Sequence, residues 1–273
     1  MTRDYPLEST DRERRRLRLQ AEALVPLTER MLSGAGVGPG SRVLELGCGG
    51  GDVTELIARR VGPTGSVVAL DRDPAQVAMA TGRLHAAGHR NVEFVVSDMA
   101  DHRPAGLFDA VVGRYVLIYV PDPEASVAQA ARWLRPGGSL AFLEMDFFRG
   151  VRSRIWPPAS NETVQAIEFI GDVMLDAGTQ ADMAARLPSL LSRHGDVTAE
   201  LSAPIQFGAA SVELPLEAVR SVMPTARKLG RADAGRHDVD RLLAAEVSGR
   251  DRHTVTVPPL SVAAWVRVND PCG

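Results

Sequence analysis

The chain has 273 residues, of which 45% are hydrophobic and 24% charged, a balance typical of a folded globular protein rather than a disordered or fibrous one. This length predicts one large domain, or one domain with a sizeable insert. The net charge of -3 and the pI near 6.1 provide no general attraction for nucleic acids or anionic membranes, so neither is expected as a partner.

Residue usage argues against several further classes. Only one of the 31 basic residues, Lys228, is a lysine, and its sequence context matches no P-loop, kinase or Schiff-base enzyme. The two cysteines, Cys48 and Cys272, are far apart in the sequence, which fits a reducing compartment better than a disulfide framework. No run is apolar and long enough for a signal peptide or a membrane span, so a cytoplasmic protein is expected.

The chain begins with a predicted helical segment, after which strands and helices alternate. Residues 8–33 are predicted to form one or two helices, with Pro26 as a kink or restart. A short apolar run at 43–46 ends in the glycine-rich segment 47–51, as a buried strand entering a tight turn would. A second helix is expected to follow at once, with Asp52 as its N-cap.

The strand, turn and helix pattern then repeats. Helices are expected after Asp73 and Asp122, since each precedes a proline that suits the first helical position. Further strands are predicted at 67–70, 92–96, 108–116 and 139–143. Strands that alternate with helices predict a parallel, doubly wound α/β sheet.

The second half of the chain has weaker signals. Helical stretches are expected near 161–194 and 212–247, and strands at 197–205 and 261–268. The two late strands suit an antiparallel pair that completes the sheet. Residues 208–255 would then form a helical insert that acts as a lid.

Polar residues stand where ligands of open α/β sheets bind, beyond the carboxyl ends of the strands. Glu45 and the glycines of 47–51 end the first strand, Asp71 ends the second, and Asp98 follows the third. Glycines let the backbone approach a ligand, and the two aspartates suit ribose hydroxyls and a purine amine. Asp52 occupies the third glycine position of a Gly-x-Gly-x-x-Gly motif, which argues against a nicotinamide dinucleotide.

With these motifs the sequence resembles the class I S-adenosylmethionine-dependent methyltransferases, close to their small-molecule, natural-product and quinone-type group. The resemblance covers roughly residues 10–148. It rests on five motifs in order: Glu45-x-Gly47-x-Gly49-x-Gly51, Asp71, Ser97-Asp98-Met99, Phe108-Asp109-Ala110-Val111-Val112, and Leu134-Arg135-Pro136-Gly137-Gly138. It implies a mostly parallel, seven-stranded Rossmann-like sheet with an antiparallel late strand and a helical lid insert.

The resemblance also implies an activity and a division of the chain. The expected reaction moves a methyl group from S-adenosylmethionine to O, N or C of a small aromatic or hydrophobic metabolite, as in secondary metabolism. Residues 1–40 would form a helical cap, 41–148 the cofactor-binding core, and 149–273 the acceptor side. The expected partner is a small-molecule acceptor, and the expected state is a monomer or a homodimer.

Particular residues are implied as cofactor contacts. The methionine part would be held by Glu45 and the backbone of Gly47, Cys48 and Gly49, and the ribose by Asp71. The adenine would lie near Arg72, Asp98 and Met99. Arg114 or Tyr115 would lie near the sulfonium, and the leading segment would add Gln20 and Tyr5.

No catalytic base is evident, and methyl transfer needs alignment more than a dedicated base. Topology favours Tyr115, Glu144 and Asp146 as catalytic candidates. An apolar acceptor pocket is expected from six aromatic residues: Phe147, Phe148, Trp156, Phe169, Phe207 and Trp265. No metal site is expected, because His85 and His89 lack a third ligand and suit a solvated surface pair.

Two other functions remain open. A protein of this kind can bind the cofactor without using its methyl group, as a cyclase or as a component of a complex. An RNA or protein methyltransferase is the other alternative. It is disfavoured by the acidic net charge and because Gly113-Arg114-Tyr115-Val116 stands where amino methyltransferases carry an Asn/Asp-Pro-Pro-aromatic motif.

Overall fold

The computed structural model describes residues 11–146, 151–231, 238–248 and 253–268. These residues form a seven-stranded sheet, a small three-stranded sheet and eight α-helices. Four residues singled out from the sequence lie outside the described ranges: Tyr5, Phe147, Phe148 and Cys272. None of the described helices is long and apolar enough to cross a membrane.

The seven-stranded sheet has the order β3-β2-β1-β4-β5-β10-β7. Its strands are β1 (Arg42–Leu46), β2 (Ser66–Asp71), β3 (Val92–Val96), β4 (Phe108–Arg114), β5 (Leu134–Met145), β7 (Val197–Ser202) and β10 (Ser261–Arg267). The first five pair in parallel with their neighbours, and β10 runs antiparallel to β5. The predicted mostly parallel sheet with an antiparallel late strand is confirmed.

Three of the described helices begin at a residue whose side chain caps the backbone, namely Asp73, Asp122 and Ser160. The described helices are α1 (Asp11–Gly34), α2 (Asp52–Val61), α3 (Pro74–Ala86), α4 (Pro123–Ala131), α5 (Asn161–Asp176), α6 (Met183–Leu191), α7 (Ala210–Lys228) and α8 (Val239–Ser248). The Asp73 and Asp122 side chains accept hydrogen bonds from the backbone N–H groups of Ala75 and Ala125, as capping aspartates do. Both predicted caps are confirmed, and α1 continues through Pro26.

The start of α2 differs from the prediction. Gly51, not Asp52, is the N-cap residue, and it has a left-handed φ of 84° with no side-chain cap. A Cβ atom at Gly51 would lie 3.0 Å from Leu84 and 3.1 Å from Ala80, so glycine fits both the conformation and the space. Asp52 is therefore the first helical residue, where its negative charge still suits the helix dipole.

Several strand boundaries also differ, including the end of β7, which lies at Ser202 rather than at 205. β4 ends at Arg114 rather than Val116, because Tyr115 adopts a left-handed φ of 54° that no strand can continue. β5 begins at Leu134 rather than at 139, so the Pro-Gly-Gly turn signal at 136–138 lies in this strand, opposite an irregularity between Phe108 and Ala110 of β4. Tertiary pairing overrides the local turn signal there.

The core of the sheet follows from the apolar strand sequences. Val43, Leu44 and Leu46 of β1 are fully buried, and Val43 shares a core cluster with Ile57 and Val61 of α2. Complete burial of such a side chain stabilises the fold by about 1.5–3 kcal/mol. β1 is thereby a fixed central support for the loop that follows it.

The chain divides into two compact units. The sheet unit contains Val25–Met145, Met183–Leu201 and Ser261–Gly273, and the second unit contains Met1–Leu24, Asp146–Asp182 and Ser202–Leu260. Both units are assembled from separated stretches of sequence.

The second unit holds α5, α7 and α8 and a small sheet of order β6-β9-β8, formed by β6 (Ile155–Trp156), β9 (Val255–Thr256) and β8 (Gln206–Phe207). The region predicted as a helical insert at 208–255 contains α7 and α8, and it ends in a strand of this sheet. The small sheet was not predicted.

Four of the six aromatic residues expected to form one pocket lie in the described ranges, and they differ in exposure. Phe169 is 3% exposed in α5, and Trp265 lies on β10 against Gly34 in the sheet unit. Trp156 and Phe207 are 70% and 61% exposed, and both lie opposite Val255 in the small sheet. Packing accounts for Phe169 and Trp265, so the expectation of a single pocket is corrected for the described residues.

Candidate functional site

The site lies where the strand order reverses. β1 pairs with β2 on one side and with β4 on the other, both in parallel, so Glu45 lies opposite Ala69 and Val112. Asp71 ends β2 and lies opposite Val96 of β3. The reversal opens a crevice at the carboxyl edge of a doubly wound sheet, where ligands bind.

The glycine loop (residues 47–51) is tied to the end of β2. The backbone N–H of Cys48 donates to the carbonyl of Leu70 at 2.8 Å, and the N–H of Gly49 donates to Oδ2 of Asp71 at 2.8 Å. The N–H of Gly51 closes the turn on the carbonyl of Cys48 at 2.9 Å. The predicted acid of the second strand therefore also holds the loop of the first.

The glycines of this loop differ in what surrounds them. A Cβ atom at Gly47, which has φ of 69°, would lie 2.9 Å from the Val116 side chain, so this glycine is required for packing. A Cβ atom at Gly49 would meet no atom of the described residues within 4 Å. The backbone of Gly49 thus faces open space that a ligand can approach.

Glu45 is a buried carboxyl group without a full set of partners. The residue is 2% exposed, and its Oε2 has no hydrogen-bond partner among the described residues. Burial raises the pKa of the Glu45 carboxyl to about 7, Asp71 and Asp52 also raise it, and Thr54 and Arg114 lower it. A buried, unpartnered acceptor oxygen is costly, and a cationic ligand group would relieve that cost.

Asp71 is half-buried and has both oxygens engaged. Besides the bond from Gly49, its Oδ1 accepts from the N–H of Asp73 at 2.9 Å. A carboxylate offers about four lone-pair directions, so each oxygen can accept one more hydrogen bond. Arg72, the next residue, is also half-buried at this edge.

Asp98 and Met99 lie in a turn after β3, and both are half-buried. Oδ1 of Asp98 accepts from the N–H of Ala100 at 2.9 Å, and the carbonyl of Met99 accepts from Nε2 of Gln129 at 3.0 Å. Gln129 on α4 therefore supports this turn. Sequence reasoning missed Gln129, because no motif links a helix residue to a turn this far away.

Cys48 is 5% exposed, and its burial raises the pKa of the thiol above its ordinary value, as do the charges of Glu45 and Asp71. A thiol in this environment stays protonated and is not a nucleophile. The structure thus places Cys48 as a packed residue whose backbone belongs to the loop.

Arg114 and Tyr115 follow each other at the end of β4. Burial lowers the pKa of Arg114, against opposing contributions from Tyr115, Asp52 and Glu45, and its Nη1 lies 3.4 Å from Oγ1 of Thr28. The hydroxyl of Tyr115 lies 2.7 Å from Oγ of Ser261. Among the described residues other than glycine, only Tyr115 has a positive φ, a strained conformation typical of functional sites.

Glu144, a catalytic candidate, is fully buried and engaged with backbone. Its carboxyl oxygens accept from the N–H groups of Val116, Leu117 and Ile118 at 3.1, 2.8 and 3.3 Å. Burial raises its pKa to about 8, although these three hydrogen bonds lower it. The geometry describes a carboxyl that holds the turn after β4 rather than one that faces a ligand.

The remaining predicted residues are less central to this arrangement. Asp146 follows β5, and its N–H donates to the carbonyl of Leu260 at 3.2 Å within the second unit. Gln20 lies half-buried on α1, also in the second unit. The structure assigns neither to the site, so their roles stay predictions.

The histidine pair differs from the prediction. His85 is exposed, but His89 is half-buried, with Nε2 4.0 Å from Glu55, so the two do not form a solvated pair. Within the ranges that the structure describes, no group of three or more His, Cys, Asp or Glu residues is arranged to hold a metal ion.

Comparisons with known proteins agree with this geometry. Residues 43–138 match the family model described as a methyltransferase domain. The aklanonic acid methyltransferase DauC of Streptomyces sp. strain C5 is 34% identical over 134 residues, which cover 49% of this chain and 61% of DauC. The nocamycin O-methyltransferase of Saccharothrix syringae is 31% identical over 172 residues, covering 62% of this chain and 58% of that enzyme.

A solved structure supports the fold. The YcgJ protein of Bacillus subtilis superposes with a TM-score of 0.59 at 12% identity, covering 89% of this chain and 98% of YcgJ. At that identity the likeness concerns the fold alone. The sequence matches span about three fifths of the two named relatives.

Proposed function

We propose that this chain, whose residues 43–138 match a methyltransferase domain, is a class I S-adenosylmethionine-dependent methyltransferase that transfers a methyl group from that cofactor to O, N or C of a small hydrophobic or aromatic metabolite. The proposal rests mainly on the environment of Glu45. This carboxyl is buried next to the glycine loop and has an oxygen without a partner.

The described residues fit the cofactor by their chemistry. Glu45 offers a carboxylate to the amine of the methionine part, and the space beside Gly49 admits a ligand close to the backbone. Asp71 retains acceptor capacity for ribose hydroxyls while its present bonds fix its orientation. Arg72, Asp98 and Met99 then adjoin the adenine.

The cofactor, when bound, supplies an activated methyl group, so the protein mainly has to align the reactants and exclude water. The half-buried Arg114 and the strained Tyr115 lie at the end of β4 next to β1, and we assign them a place beside the reacting groups. The hydrogen bond between Tyr115 and Ser261 fixes the direction of the tyrosine ring. Tyr115 and Asp146 remain the candidates for contact with the acceptor.

The proposed acceptor class is supported by the relatives. DauC and the nocamycin enzyme are named for methylation of small natural products, and the acidic net charge of this chain suits an uncharged or apolar acceptor better than RNA. We assign acceptor recognition to residues 149–273, with residues 208–255 as the lid, in a cytoplasmic monomer or homodimer.

The direct test is calorimetric titration of the full chain with S-adenosylhomocysteine, followed by incubation with methyl-labelled cofactor and a panel of phenolic and carboxylic acceptors. We expect binding, and label in a small-molecule product. Binding followed by conversion of an acceptor without loss of the methyl group would favour a cyclase. Label in RNA or protein, with salt-dependent RNA binding, would overturn the small-molecule assignment, and absence of binding would overturn the proposal entirely.

A further inference from the structure

Arg83 on α3 joins the glycine loop to the first turn of α2. Its Nε donates to the carbonyl of Gly50 at 3.0 Å, and its Nη1 donates to the carboxylate of Glu55 at 2.6 Å. Its Nη2 lies 3.3 Å from Oδ1 of Asp52. One planar guanidinium therefore contacts the loop backbone and both acids at the start of the helix, which suits the fork of donors that arginine carries.

Close packing makes this contact specific. A Cβ atom at Gly51 would lie 3.0 Å from Leu84, 3.1 Å from Ala80 and 3.3 Å from Nη2 of Arg83. The face of α3 that carries Arg83 thus lies directly against the loop. A shift of Arg83 would leave space beside the loop and free the carbonyl of Gly50 to rotate.

The charges support the same role. Although burial raises the pKa of Glu55, the hydrogen bond from Arg83 and the charges of Arg59, Arg83 and His89 bring it below its ordinary value. Glu55 is therefore ionised at neutral pH, and Arg83 balances negative charge directly behind the loop. Arg59 contacts Glu55 from the exposed side of α2, and the described contacts link it to no loop residue.

We infer that Arg83 is a positioning residue for the cofactor, and this inference rests on the proposed function. Arg83 holds the carbonyl of Gly50, which fixes the peptide between Gly50 and Gly51 and thereby the closing turn of the loop that begins beside Gly49. Arg83 therefore affects cofactor binding through the loop, which it contacts from the side of α2 and α3.

The test compares Arg83→Met with Arg59→Met, because each removes one arginine from Glu55 but only the first removes a contact with the loop. Binding of S-adenosylhomocysteine is measured by calorimetry for the wild-type chain and both variants. We expect Kd to rise roughly tenfold in R83M, the scale of one lost charge-assisted hydrogen bond, and to stay within about twofold in R59M.

A third variant, Arg83→Lys, tests whether binding needs the arginine's arrangement of donors or only its positive charge. Lysine can pair with Glu55 but cannot place donors on three groups at once. We expect the thermal midpoint of ligand-free R83K to recover toward wild type while Kd stays raised. This variant decides the matter if R83M does not fold.

The inference is overturned if R83K and R83M bind as the wild-type chain does, or if R59M weakens binding as much as R83M. Failure of the wild-type chain itself to bind is a different result, which refutes the proposed function before any variant is measured.

Discussion

Cofactor binding should depend on pH through Glu45. Burial raises the pKa of this carboxyl to about 7, and its Oε2 has no partner among the described residues. The charged groups facing it are Asp52 and Asp71, which raise the pKa, and Arg114, which lowers it. A ligand ammonium stabilises the ionised form, so binding at neutral pH and below displaces a proton.

The direction and size of the expected change of Kd with pH follow from the raised pKa of Glu45. With a pKa of about 7, roughly nine tenths of the free protein carries the proton at pH 6 and roughly one tenth at pH 8. The proton must leave before the carboxylate can pair with the ligand. We therefore expect Kd for S-adenosylhomocysteine to be roughly tenfold larger at pH 6 than at pH 8.

Isothermal titration in two buffers of different ionisation enthalpy measures both the affinity and the released proton. Close to one proton per site is expected at pH 6. The control is Glu45→Gln, which keeps the side-chain shape and should bind more weakly, with neither a pH-dependent Kd between pH 6 and 8 nor proton release. Equal wild-type affinities at pH 6 and pH 8, without proton release, would refute the reasoning.

Three further variants test the rest of the site. Gly47→Ala places a Cβ 2.9 Å from Val116 at a left-handed φ and should cost about 1–3 kcal/mol of unfolding free energy, measured by denaturant titration; an unchanged midpoint would contradict the packing argument. Tyr115→Phe removes the bond to Ser261 and should cost about 1 kcal/mol, with a higher KM for the acceptor as the second readout. Because burial raises the pKa of Glu144 from 4.5 to about 8, the folded chain keeps a proton that the unfolded chain releases. Glu144 should therefore make stability fall between those values by up to about 1.4 kcal/mol per pH unit, and Glu144→Gln should remove this contribution and leave that of Glu45 below about pH 7.

The sheet could be predicted because its signals are local. The apolar run at 43–46 and the aspartate–proline pairs at Asp73 and Asp122 specify a strand and two helix starts within a few residues each, and the structure confirms all three. The cap at Asp52 was predicted wrongly for a physical reason. Packing of α3 against Gly51 selects a left-handed glycine as the N-cap, and that packing is invisible in the local sequence.

Contacts between distant residues could not be predicted. The carboxyl of Glu144 lies opposite backbone N–H groups at Val116 to Ile118, and Gln129 supports the turn at Met99. Each contact depends on the register of two elements that meet only in the folded chain. The small sheet is a stronger case, because strands of two residues, such as 155–156, are too short to show an alternating pattern.

Glu45 and Glu144 are both buried, and their hydrogen-bond partners distinguish a residue suited to bind a ligand from one with a structural role. Burial raises the pKa of both Glu45 and Glu144. Glu144 has three backbone donors, whereas Glu45 keeps an oxygen without a partner beside the open space at Gly49. Raised pKa alone would have made either residue a catalytic candidate. With Glu144 holding the turn after β4, Tyr115 and Asp146 remain the catalytic candidates, and the proposed reaction depends mainly on alignment of the reactants.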